Sequence, residues 1–64
     1  MNVVLITEAQ ANELKGKELF KGNYYNPFKI NNQWFISVEE QLNTDIEWLK
    51  NCEIVNIETD DSRS

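Results

Sequence analysis

Three hydroxyl residues, each followed three positions later by Glu or Gln, cut this chain into short pieces: Thr7 with Gln10, Ser37 with Glu40, and Thr44 with Glu47. In such a capping box the hydroxyl accepts a backbone N–H of the first helical turn, and the Glu or Gln reaches back to the N-cap N–H. A helix start is expected at each. Thr7 follows the apolar run Val3–Ile6, which reads as a strand. The first helix is predicted from about Glu8 to Lys15, stopping at Gly16. Ser37 opens a short second helix carrying Leu42. Thr44 opens a further turn or two with Ile46 and Leu49 on one face. The second and third helices are either continuous or kinked near Asn43.

Between the first two boxes, Phe28–Ser37 has the pattern of a β-hairpin turning at Asn31-Asn32. Asparagine tolerates the positive φ that a two-residue turn demands. That turn sets Phe28 opposite Phe35 and Lys29 opposite Trp34; a longer loop would slide the register by one and exchange the faces. Pro27 stands where the hairpin starts, a position open to proline. Residues 52–58, with Ile54, Val55 and Ile57, form the last expected strand. The order is β-α-β-β-α-β: an α+β fold with a small, mostly antiparallel sheet packed against two or three short helices. Residues 1–58 read as one domain and 59–64 as a disordered polar tail.

Val3–Ile6, Trp34–Ile36 and Ile54–Val55 are apolar at consecutive positions, so they offer apolar groups to both faces of the sheet. Two short helices cover one face. The other is closed by curling of the sheet, by the 17–27 segment folding over it, or by another copy or another protein. A homodimer or partner contact at Val4, Trp34 or Phe35 follows from the last option.

At 64 residues the core is thin, and Cys52, the single cysteine, allows no internal disulfide. There is no histidine, so neither a Ser-His nor a Cys-His pair can be assembled, and a zinc site lacks its usual ligands. Gly16 and Gly22 are isolated, which rules out a glycine-rich phosphate loop. The acids lack the alternated spacing of a calcium loop. Neither catalysis nor a cofactor is expected. Net charge is −5, with +1 in residues 1–30 and −6 in residues 31–64, which argues against direct nucleic-acid binding and against anionic membrane surfaces. No secretory signal or membrane-length apolar run occurs, and a free thiol fits the cytoplasm. Nine asparagines against two alanines suit an AT-rich genome, as in many phages and mobile elements.

Asn26-Pro27-Phe28, Trp34-Phe35-Ile36-Ser37, Glu39-Glu40 and the later Trp48-Leu49-Lys50 together resemble short uncharacterised proteins of Bacteroidetes and their phages. The likeness covers roughly residues 20–58. Those proteins often carry Asp/Asn-Gly where this chain has Asn31-Asn32-Gln33. The resemblance implies a phage or mobile-element setting in a bacterial host, and no activity.

The function expected is that of a non-enzymatic protein–protein interaction module. Its apolar contact candidates are Tyr24, Tyr25, Trp34 and Phe35, because tyrosine and tryptophan are enriched at interface hot spots. The adjacent tyrosines have a second reading, in which they close the small core. The alternative function is an acidic inhibitor that mimics nucleic acid to occupy a host or defence protein, with Glu39, Glu40, Asp45, Glu47 and Glu53 as its charges. Capping duties already claim several of those acids.

Overall fold

The computed structural model describes residues 1–57. Its fold is α+β: strands β1 (Asn2–Ile6), β2 (Glu18–Phe20), β3 (Asn23–Tyr24), β4 (Phe28–Ile30), β5 (Gln33–Ser37) and β6 (Ile54–Asn56), with helices α1 (Glu8–Leu14), α2 (Val38–Asn43) and α3 (Glu47–Lys50). Four strands make one antiparallel sheet in the order β4-β5-β1-β6, and β2 and β3 pair separately as a small hairpin.

Local chemistry explains most boundaries. Thr7 Oγ1 accepts from Gln10 N at 3.1 Å while Thr7 N donates to Gln10 Oε1 at 2.9 Å, so the first capping box is complete. Past α1 the chain turns at Gly16, whose φ of +76° is costly for any residue with a Cβ. The second box forms between Ser37 and Glu40. Asn31 and Asn32 have φ of 51° and 67°, as a type I′ turn requires. Phe28 therefore faces Phe35 and Lys29 faces Trp34, the register read from the sequence.

The third box does not form. Helix α3 begins at Glu47 with Ile46 as N-cap and no side-chain cap. Thr44 is buried, bonds to the Tyr25 hydroxyl, and accepts from Ile46 N at 3.1 Å. A buried tyrosine thus claims the hydroxyl that the sequence assigns to a helix start, and α2 and α3 remain separate. Gln41 ties them together. Its Nε2 donates to Leu49 O and Cys52 O, both at 2.9 Å, adding a second donor to Leu49 O beside Cys52 N and supplying one to Cys52 O in the turn after α3. Cys52 lies in the turn after α3 rather than in a strand, and β6 is shorter than the expected 52–58. Residues 58–64, including the expected tail, lie outside the described residues.

Side chains alternate along the central strands. Val4, Ile6 and Ile36 project from one face and pack with Ala11, Leu14, Tyr25 and Leu49 into the main core. Val3, Leu5, Phe28 and Phe35 project from the other, where the Phe28 and Phe35 rings lie 5.8 Å apart. Both faces are apolar, as the consecutive apolar positions indicated. The 17–27 segment, expected as one cover for the second face, instead forms the β2–β3 hairpin, with Leu19 and Tyr25 packed into the helix-side core. It widens the helix layer. No helix among the described residues is long and apolar enough to cross a membrane.

Candidate functional site

Adjacent residues in extended chain point to opposite sides, and this separates the two tyrosines. Tyr25 is 6% exposed and belongs to the core; Tyr24 is 59% exposed. Tyr25 is therefore a core residue, in keeping with one of its two sequence readings, and not an exposed contact. Phe35 is 2% exposed and Val4 is fully buried, so neither is free to meet a partner in this fold. Trp34 is half-buried on the helix-covered face. It lines a cavity of about 350 Å³ between the start of α1 and the β4–β5 hairpin. Its ring is already engaged: Lys15 Nζ lies 4.8 Å and Lys29 Nζ 5.9 Å from the centroid.

The second cavity, about 190 Å³, runs between the β2–β3 hairpin and α2. Phe20 and Tyr24 form one wall, while Glu39, Glu40 and Asn43 of α2 form the other. Here the structure joins one apolar candidate, Tyr24, to two acidic ones. It adds Phe20, 50% exposed, which sequence reasoning missed. Its signal was faint: an aromatic two residues before Gly22, in a segment without strand alternation. Leu42, also on α2, is 77% exposed.

The acids differ in how free they are. Glu40 is half-buried and fully used: Oε1 accepts from Ser37 N at 3.3 Å and Oε2 from Asn26 N at 3.0 Å. Glu18, paired with Tyr24 across the hairpin, accepts from Gly22 N at 3.0 Å and closes the turn. Glu39 is exposed and takes no part in the capping box. Asp45, Glu47 and Glu53 are exposed and lie away from this groove's lining. The five acidic candidates thus do not converge on one cavity.

Cys52 is half-buried; its Sγ donates to Trp48 O at 3.4 Å, and burial pushes the thiol above its ordinary value. That environment suppresses the thiolate a nucleophile needs. Among the described residues no three His, Cys, Asp or Glu side chains come together as metal ligands. No protein-family model, curated protein or solved structure significantly matches the chain.

Proposed function

We propose that this chain is a small non-enzymatic module that binds another protein through the groove between the β2–β3 hairpin and α2. The observation that carries the reading is the pair Phe20 and Tyr24, 50% and 59% exposed on one wall of that groove. Large rings left in water cost hydrophobic free energy that a partner recovers, and aromatic anchors beside a pocket dominate interface energetics. The Trp34 cavity is larger, but Lys15 and Lys29 already lie over that ring. Residues 20–58, which resemble the Bacteroidetes and phage proteins, span most of the groove. An accessory role in a phage or mobile element, in the cytoplasm of a bacterial host, is the setting this reading takes.

Immobilised protein exposed to bacterial lysate tests it against matched variants. Phe20→Ser with Tyr24→Ser removes the wall, while Asn12→Ser alters the exposed side of α1. Species kept by wild type and by Asn12→Ser but lost from the double variant support the groove. Equal retention by all three rejects it.

A further inference from the structure

The groove's two walls differ in chemistry, and that difference selects an occupant. On one side stand the exposed rings of Phe20 and Tyr24; on the other, the carboxylates of Glu39 and Glu40. Glu18, opposite Tyr24 in the hairpin, is outside the cavity lining and its carboxylate already accepts from Gly22 N. The cavity's 190 Å³ falls below the roughly 300–1,000 Å³ typical of small-molecule sites, so its scale suits one long side chain.

We infer, resting on the module reading above, that the groove takes an arginine side chain from a basic segment of the partner protein. A guanidinium is flat, permanently charged and weakly hydrated, so it stacks on aromatic faces and forks onto carboxylates at once. Tyr24 and Phe20 supply the faces. Glu39, outside the capping box, supplies the acceptor. Both Glu40 oxygens already accept backbone N–H groups, so Glu40 contributes charge rather than a new hydrogen-bond geometry. Lysine satisfies the carboxylate but not the stacking plane, and ranks second. Phosphate-bearing partners meet like charge and are repelled.

The test titrates ¹⁵N-labelled full chain with a capped Gly-Ala-Arg-Ala-Gly peptide, and with the same peptide carrying citrulline, which keeps the planar group and removes its charge. The expected result is amide shifts confined to residues 18–24 and 37–43. Citrulline should weaken binding by roughly fivefold or more, and Glu39→Gln should do the same. Rising salt should weaken the arginine peptide and spare the citrulline one. Equal binding of the two peptides, or shifts scattered over the surface, overturns the inference. So does sedimentation showing a dimer that Phe20→Ser with Tyr24→Ser dissolves, since a second copy then fills the groove. The lysate experiment separates the two levels. Species lost from the aromatic double variant but kept by Glu39→Gln and at high salt leave the module standing and remove the basic partner. Species kept by the double variant remove both.

Discussion

Glu40 and Asn26, fourteen positions apart, are joined by a 3.0 Å hydrogen bond from the Asn26 backbone N–H to the Glu40 carboxylate. The other carboxylate oxygen accepts from Ser37 N and completes the helix cap. One side chain thus starts α2 and pins the connection between β3 and β4, just ahead of the β4–β5 hairpin. Glu40→Ala should cost about 1–2 kcal/mol, since a cap and a charge-assisted bond go together. Glu39→Ala, one residue away and exposed, should stay within about 0.5 kcal/mol. Urea unfolding followed by tryptophan fluorescence reads both, and equal losses would sink the distinction.

The turn at Asn31-Asn32 yields a second prediction. At φ of 67°, Asn32→Gly should be neutral or stabilising, because glycine enters this region without a Cβ clash. Asn32→Ala should lose about 1–2 kcal/mol. The midpoint of thermal unfolding ranks the three, and an alanine variant as stable as the parent would contradict a type I′ turn.

Tyr24 and Tyr25 should part company on truncation. Tyr25→Ala removes a buried ring, at about 3–5 kcal/mol, comparable to the whole stability that a domain of this size commands. Tyr25→Phe isolates the hydroxyl, leaving Thr44 without that partner in the core, at about 1–2 kcal/mol. Tyr24→Ala should leave folding nearly unchanged. Circular dichroism on the three variants decides it.

Gln41→Leu keeps volume but strips the two donors that serve Leu49 O and Cys52 O. Cys52 O then loses its donor and Leu49 O keeps only backbone N–H, which should cost about 1–3 kcal/mol despite the more apolar side chain. A stabilised variant would mean that water reaches them instead.

Cys52 has a pH signature. Burial favours its neutral thiol in the folded state, so its folded pKa lies above the unfolded one. The stabilisation is full below the unfolded thiol value of about 8.5 and is lost as pH climbs through the folded value. Reaction with a disulfide reagent at pH 7.5 should run slower than that of a small free thiol, and should catch up only after denaturation.

Where a pattern is local, the sequence discloses it. Thr7 and Ser37 sit within three residues of the groups they bond, and Asn31-Asn32 carry their own turn preference. Thr44 shows the limit. Its spacing to Glu47 equals that of the other two boxes, yet its hydroxyl goes to Tyr25, nineteen positions earlier. Nothing in the local spacing announces that competition. The β2–β3 hairpin escaped for another reason: its strands are three and two residues long, too short for any period to emerge. The candidate groove inherits that gap. Tyr24 and Glu39 each stand out in the sequence, but only the hairpin brings them to one cavity, and Phe20 comes with it.

Strand β1 occupies an inner place in the sheet, bonded to β5 on one side and β6 on the other. It is made before either neighbour, and the second, residues 54–56, follows it by about fifty residues. Until residue 54 arrives, then, Val3–Ile6 waits with its β6 flank unpaired even once β5 is made, an apolar ribbon whose backbone can template the wrong strand. Pairing over so long a stretch of chain is also slow by topology. The time before residue 54 arrives is the chain's period of greatest aggregation risk, and mutations that delay β6 should show first as lost yield rather than as altered binding.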